Sequence, residues 1–390
     1  MKKISRILAA IPFALTVAVM PMTEAAVNPV VHLPAVLMDP APSVVPEASL
    51  QTTNAPDTDE AYAKGVTGCF TGTIGNKIIV AGGCNMTENK ISFSSDRQVF
   101  SDIYAGQPAP NGKIEWEKAG TMPFAVSNGA SFTLDDSVIF AGGIDANFTA
   151  SQKVYKLSFN ENGTLETTYL PDLPNGLSHM GSCLIDNKLY LIGGTTNNGA
   201  NPAVISLDLN QQELGWQTVS YYPGSARIQP ICAESNGQLF IWGGYSTDNP
   251  PILSNDGYKY NPDTKDWSAV ATPKLVDGFR SSRIYTGGAS AVSVDNHRIV
   301  VTGGVNPEIF SNTSQKMSGD YLQHNADWYR YNRFIMIYNS DANSWEIPVQ
   351  TAQTARTNAS MLYFGNKIYT IGGEIAPGVC TNEISLINVK

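Results

Sequence analysis

Six Gly-Gly pairs that each close a β-branched or aromatic run punctuate this 390-residue chain, and the residues directly after them are Cys84, Ile144, Thr195, Tyr245, Val305 and Glu374; a seventh pair, Gly287-Gly288, precedes such a run and stands outside the pattern. Glu374 is the one carboxyl in that set. A carboxylate held at such a place, partly withdrawn from water, has a raised pKa and can exchange protons near neutral pH. The competing role is a surface glutamate that caps a turn. A second set of polar residues recurs just ahead of apolar runs: Ser127 and Asn128, Ser178 and His179, Arg227 and Gln229, Arg356 and Asn358. Arg227 and Arg356 are the anchors expected for an anionic ligand, because a guanidinium grips a carboxylate through two parallel hydrogen bonds. Structural salt bridges are the alternative for both. Gln229, Asn358 and His179 would add neutral hydrogen bonds to the same ligand, as would Asn306 beyond the fifth Gly-Gly.

Other chemistries are disfavoured. The four histidines, His32, His179, His297 and His324, show no H-x-H or H-x-x-x-H spacing, so neither a mononuclear metal site nor a copper-radical centre can be assembled. No phosphate-binding glycine motif or nucleotide fingerprint is present; GGASAVS at Gly287 lacks the G-x-G-x-x-G spacing. The net charge of −9 argues against nucleic acid as a partner, which needs a basic footprint. The expected ligand is a small molecule, with no metal or redox cofactor.

The Gly-Gly pairs also define the scaffold. They end at Gly83, Gly143, Gly194, Gly244, Gly304 and Gly373, at steps of 60, 51, 50, 60 and 69 residues. Each closes the same phrase of polar turn and β-branched or aromatic run, as in IGNKIIVAGG, IDNKLYLIGG and FGNKIYTIGG. A period near fifty, with a Trp later in the repeat, is the pattern of kelch-type propeller blades. Six copies predict an all-β, six-bladed kelch-type β-propeller over residues 65–390. Such a ring gathers the loops after Gly-Gly at one axial mouth. Trp116, Trp216, Trp267 and Trp345, with Tyr169 in the equivalent place, fall on outer strands and are read as inter-blade packing.

The last repeat lacks an outer strand, because EISLINV is followed only by Lys390. An N-terminal strand would close the ring, and VVHLPAV (Val30–Val36) is the expected one, leaving a long tether from Leu37 to Lys64. Ahead of it, MKKISR and the apolar ILAAIPFALTVAVM read as a signal peptide over residues 1–25, followed by an extended leader over 26–64. The apolar run is short and broken by Pro12, and no later segment is suited to span a bilayer. A periplasmic protein is therefore expected. The insertion from Asn306 to Tyr331 is polar and aromatic-rich, is expected to be helical towards its end, and should overhang the mouth.

Of five cysteines, Cys69, Cys183 and Cys232 occupy small inner-strand positions that suit core packing. Cys84 and Cys380 lie in matching loops of the first and last repeats, neighbours in a closed ring, so a Cys84–Cys380 disulfide is a hypothesis.

Several segments together resemble the bacterial N-acetylneuraminate epimerases, sialic acid mutarotases of the periplasm. VTGGVNPEIF and ADWYRYNRFIMIYNSDANSW resemble that family's fifth-blade segment, YPGSARIQ an inner-strand arginine motif, and GGEIAPGVCTNEI its GE-x-x-P-G-x-R-T motif. GVTGCFTGTIGNKIIVAGG, which follows the GE motif in the usual family order, opens this propeller instead. That order is similar to a circularly permuted branch. The resemblance implies sugar mutarotation with Glu374 as the motif acid and a small sugar acid as ligand. The motif Arg is replaced by Cys380. Three readings follow: Arg227 or Arg356 substitutes, the sugar is different, or catalysis has been lost and a carbohydrate- or protein-binding propeller remains.

Overall fold

A computed structural model describes residues 51–54, 56, 60–86, 97–248, 251–277, 280–316 and 321–389. The chain divides into Met1–Ala41 and Pro42–Lys390. The first unit, with the expected signal peptide and Val30–Val36, lies outside the described residues.

The second unit is a six-bladed β-propeller. Each blade is a four-stranded antiparallel sheet whose first strand lies nearest the axis. Blade one is Phe70–Ile74, Lys77–Ala81, Asp102–Pro108 and Ile114–Thr121; blade two is Ala130–Thr133, Ser137–Ala141, Val154–Phe159 and Leu165–Tyr169. Blade three is Gly181–Ile185, Lys188–Ile192, Ala203–Asp208 and Gln217–Tyr221; blade four is Ile231–Ser235, Gln238–Trp242, Gly257–Asn261 and Asp266–Ala269. Blade five is Ala289–Ser293, Arg298–Gly303, Phe334–Asn339 and Ser344–Gln350. Blade six is Ser360–Phe364, Lys367–Ile371 and Glu383–Asn388, completed by Gln51–Asn54. That outer strand pairs Gln51 with Leu386 and Asn54 with Glu383, so the ring is closed from the N-terminal side. The edge expected to be covered by Val30–Val36 is thus filled by a nearer segment, and the connection to blade one is much shorter than the Leu37–Lys64 tether.

Apolar residues of facing blades pack into six clusters, one per blade boundary. Ile78, Val80 and Tyr104 of blade one meet Tyr369, Ile371 and Leu386 of blade six, for example. The outer-strand tryptophans serve these boundaries. Trp216, Trp267 and Trp345 each donate an indole N–H to the preceding blade, at Pro171 O, Ser220 Oγ and Ala271 O respectively. Tyr169 differs from them: it is 59% exposed and packs in no such cluster.

The Gly-Gly pairs are a contact requirement. Both glycines of these six pairs have φ between 58° and 104°, the left-handed region that a Cβ disfavours. A Cβ on the first glycine would lie 2.6 Å from Val126 O at Gly82, 2.3 Å from Leu177 O at Gly142 and 2.2 Å from Arg356 O at Gly303. The second glycine donates its N–H to the following blade, as in Gly83 to Val126 O, Gly194 to Arg227 O and Gly373 to Val66 O. The repeat is therefore where one blade's backbone touches the next. Among the described residues no helix is long and apolar enough to cross a membrane.

Candidate active site

Two residues after each of those carbonyl acceptors, the chain turns into the axis. Gly68, Asn128, His179, Gln229, Gly288 and Asn358, one from each blade, all have φ between 48° and 70°. They form a closed ring of backbone hydrogen bonds. Asn128 N–H donates to Gly68 O (2.7 Å), His179 to Asn128 O (2.7 Å), Gln229 to His179 O (2.9 Å) and Gly288 to Gln229 O (3.4 Å). Asn358 donates to Gly288 O (2.8 Å) and Gly68 to Asn358 O (3.0 Å), which completes the circle. Holding a non-glycine residue in this region costs about 1 kcal/mol, least for Asn. His179 and Gln229 are the strained members, and such strain is typical of binding sites.

The ring separates two spaces. Below it, a channel of about 410 Å³ is walled by inner-strand hydroxyls such as Thr71, Ser131 and Ser290. Above it, two cavities of about 340 and 240 Å³ share Gln229, Asn358 and Glu374. The larger adds Arg97, Asn128, His179, Phe148, Cys84 and Cys380. The smaller is aromatic, with Tyr245, Phe310, Tyr321, Tyr329 and Tyr331.

Glu374 stands between the two. It begins the hairpin Glu374–Ala376/Val379–Cys380, whose turn returns Gly378 N–H to its carboxylate at 3.1 Å. Its backbone exchanges hydrogen bonds with Thr357, one residue before ring member Asn358. Part of its surface reaches the cavities, yet the carboxylate is enclosed. Desolvation raises its pKa above the usual 4.5, against smaller opposing contributions from the Gly378 N–H and the Arg97 charge. The phenols of Tyr245 and Tyr331 are pushed upward by burial and then by the Glu374 charge, so both remain hydrogen-bond donors. His179 is lowered to about 4, first by burial and then by Arg97, and is neutral at physiological pH.

The sequence-derived residues divide cleanly. Glu374, Gln229, Asn358 and His179 meet at the mouth. Gln229 Oε1 accepts from Tyr245 OH (3.1 Å), and Asn358 Nδ2 donates to Asn128 Oδ1 (2.6 Å) and Thr67 Oγ1 (2.9 Å). Asn306 lines the aromatic cavity, but its Oδ1 caps the helix Pro307–Lys316 by accepting the Glu308 and Ile309 N–H groups. That helix opens the insertion rather than ending it, and 3₁₀ turns at Tyr321–Gln323 and Ala326–Tyr329 follow. Its Ile309 and Phe310 do cover the mouth.

The two arginines do not reach the ligand space. Arg227 is 2% exposed, pairs with both carboxylate oxygens of Asp256, and donates to Gly243 O (2.9 Å) and Ser225 O (3.2 Å). Arg356 is 3% exposed and donates to the carbonyls of Gly372, Glu383 and Gln353 and to Ser385 Oγ. The reason is register. Both occupy the position that Val66, Val126 and Leu177 fill in other blades, which points into the blade boundary. The expectation that either anchors an anion is corrected accordingly. Cys84 and Cys380 are neighbours, but all five cysteines are free thiols, and Cys380 Sγ lies 3.8 Å from Cys84 O. The hypothesised disulfide is not formed.

Among the described residues the cation at the mouth is Arg97, which sequence reasoning missed. It lies on Arg97–Val99, paired with Cys84–Met86 in the loop after the first Gly-Gly. That loop also contains Lys90, so residue type alone did not single Arg97 out. Phe148 went unnoticed for another reason: it is 58% exposed with φ 61°, an apolar residue in a strained loop at the rim.

The site thus defines a six-bladed propeller whose axial mouth holds, among the described residues, one enclosed carboxylate and one guanidinium. Comparison with known sequences gives the family. The N-acetylneuraminate epimerase family profile matches residues 170–390, more than half of the chain, and the chain belongs to that family. It is 26% identical over 231 residues to the N-acetylneuraminate epimerase of Salmonella enteritidis PT4, covering 56% of this chain and 57% of that protein. The Salmonella arizonae protein of the same name is 28% identical over 233 residues, covering 56% and 58%. The Haemophilus influenzae one is 27% identical over 228 residues, covering 55% and 57%. The match therefore spans somewhat over half the length of these relatives. Blades one and two fall outside the profile match.

Proposed function

We propose that the protein is a periplasmic mutarotase that interconverts the anomers of N-acetylneuraminate or a closely related acidic sugar. The observation that carries this reading is Glu374, enclosed at the mouth with its pKa raised by desolvation and flanked by protonated Tyr245 and Tyr331. The relatives' name, N-acetylneuraminate epimerase, supports the choice of sugar.

The reaction needs one proton moved and returned. Glu374 removes the proton of the anomeric hydroxyl as the bond from the anomeric carbon to the ring oxygen breaks. The electron pair of that bond goes to the ring oxygen, which takes up a proton, and the anomeric carbon becomes a ketone. Rotation presents the other carbonyl face, and the reverse steps close the opposite anomer. A carboxylate with its pKa moved towards neutrality is suited to both directions. The Gly378 N–H occupies Oε2, which leaves Oε1 for the substrate. The Tyr331 hydroxyl and the Gln229 Nε2 supply neutral donors that orient the ring, while Asn358, whose two N–H groups are taken by Asn128 and Thr67, offers its Oδ1 as an acceptor. Water opens and closes the sugar slowly by itself, so positioned acid–base groups suffice.

Cys380 at the motif-arginine position favours a second reading, a propeller that binds carbohydrate without turning it over. An NMR time course on freshly released N-acetylneuraminate separates the two. Faster approach to anomeric equilibrium than in buffer supports the mutarotase. No acceleration, together with protection of the protein against heat by the sugar, supports the binder.

A further inference from the structure

We propose that Arg97 is the carboxylate anchor of this site, taking over from blade one the role that Cys380 in blade six does not fill. The inference rests on the acidic-sugar reading above and adds the residue that selects the acid.

Three observations converge on it. First, Arg97 lines the same cavity as Glu374, Gly378 and Cys380, so its charge reaches the space a substrate carboxylate would enter beside the acid. The two hairpins adjoin, with Cys380 Sγ 3.8 Å from Cys84 O and a Cβ on Gly378 3.4 Å from Met86. A guanidinium offered from Arg97–Val99 therefore enters the neighbourhood that a longer side chain at position 380 would otherwise occupy.

Second, the guanidinium is held in place by neutral groups. Nη1 donates to Asp145 O at 3.1 Å, Nη2 donates to Ser127 Oγ, and the plane lies over the Phe148 ring at 5.1 Å. Ser127 Oγ also accepts from Asn128 Nδ2 (2.9 Å), which ties the cation to the axial ring. Among the described residues no carboxylate forms an ion pair with Arg97. This contrasts with Arg227, whose charge is neutralised by Asp256. An oriented guanidinium whose hydrogen bonds go to neutral groups and which no carboxylate contacts directly is suited to recognition of a ligand carboxylate.

Third, among the described residues lining the two cavities, no other side chain carries positive charge. Their other polar lining groups are amides, hydroxyls, phenols, thiols, the Glu374 carboxyl and a neutral imidazole.

The test is calorimetric binding of N-acetylneuraminate and of its uncharged methyl ester to the full chain and its variants. The parent is expected to prefer the acid. In Arg97→Gln the Kd for the acid should rise about 10- to 100-fold, the loss typical of one charged hydrogen-bonded pair, while the ester changes less than about threefold. Adding Cys380→Arg to Arg97→Gln should restore preference for the acid. Should Arg97→Gln fail to fold, modification of the parent by phenylglyoxal gives the same answer: the acid, and not the ester, should protect Arg97. An unchanged acid-to-ester ratio in a folded Arg97→Gln protein, no protection of Arg97, or binding of neither sugar by the parent overturns the proposal. Preferential binding of the acid without acceleration of anomer exchange would instead overturn the mutarotase reading and leave Arg97 standing.

Discussion

Replacing Arg227 by Gln should weaken the fold and spare the ligand. Removing one partner of a buried ion pair costs about 3–5 kcal/mol, because the other charge is stranded. Here Asp256 is 37% exposed, so water can resolvate its carboxylate and the loss is smaller. Against that, the buried carbonyl of Gly243 loses its donor, Ser225 O keeps only the Tyr222 hydroxyl, and the Tyr222 ring loses the guanidinium 4.7 Å from its centre. A net loss of about 2–4 kcal/mol follows, or a fall in Tm of roughly 4–8 °C at about 2 °C per kcal/mol for a domain of this size. The pH dependence has a definite sign. Burial alone would raise Asp256, but the hydrogen bonds and charge of Arg227 outweigh it and hold the carboxyl below 3.8. The contribution is thus present above 3.8 and disappears as pH falls through the folded value, so the Tm gap should close in acid. Thermal scans from pH 3 to 7, with calorimetric titration of N-acetylneuraminate at neutral pH, measure both quantities. A variant with unchanged Tm and tenfold weaker sugar binding would refute the reasoning and return Arg227 to the site.

Further outcomes are expected. The His179 imidazole, lowered to about 4, should show no NMR titration between pH 5.5 and 8, whereas a midpoint near 6.5 would contradict its enclosure beside Arg97. Acidification from 6.5 towards 4 should lower stability through this group, because the unfolded chain takes up the proton first. Glu374→Gln should be at least as stable as the parent at pH 7. The parent alone loses stability as pH rises from 4.5 through the raised folded pKa, so scans of the two should coincide below 4.5. Removal of residues 1–54 should expose the Glu383–Asn388 edge, giving a lower Tm and concentration-dependent light scattering. A truncated protein as stable and monodisperse as the parent would show that the edge needs no cover.

The ring was legible because its grammar is steric. Gly-Gly recurs where a Cβ would strike the next blade, so Gly82, Gly142 and Gly303 announce blade boundaries in the sequence itself. The positions that turn into the axis were legible too, since Asn128, His179, Gln229 and Asn358 precede each inner strand at the same offset. Arg227 and Arg356 sit only two residues earlier, and a two-residue offset decides between the channel and the blade boundary. Residue type suggested an anion anchor, while register buried both. Arg97 was hidden for the converse reason: its role comes from contact between hairpins of blades one and six, which are far apart along the chain and joined only by closure. The closing strand was expected at Val30–Val36 because that segment is the more apolar. QTTN at 51–54 carries no hydrophobic alternation, and its place is set by backbone pairing to Glu383–Asn388. The short reach from Gln51 to the first inner strand supports the same register.

The central claim is that the Glu374 carboxylate moves the proton in ring opening. Magnetisation-exchange NMR on N-acetylneuraminate, comparing the parent with Glu374→Gln, tests it most directly. Gln keeps the shape and an acceptor for the Gly378 N–H but cannot relay a proton. The predicted result is a fall in the catalysed anomer-exchange rate of about 10²- to 10⁴-fold, or about 3–5 kcal/mol in barrier, with sugar affinity within a few fold of the parent. A Glu374→Gln protein that exchanges anomers as fast as the parent would contradict the account.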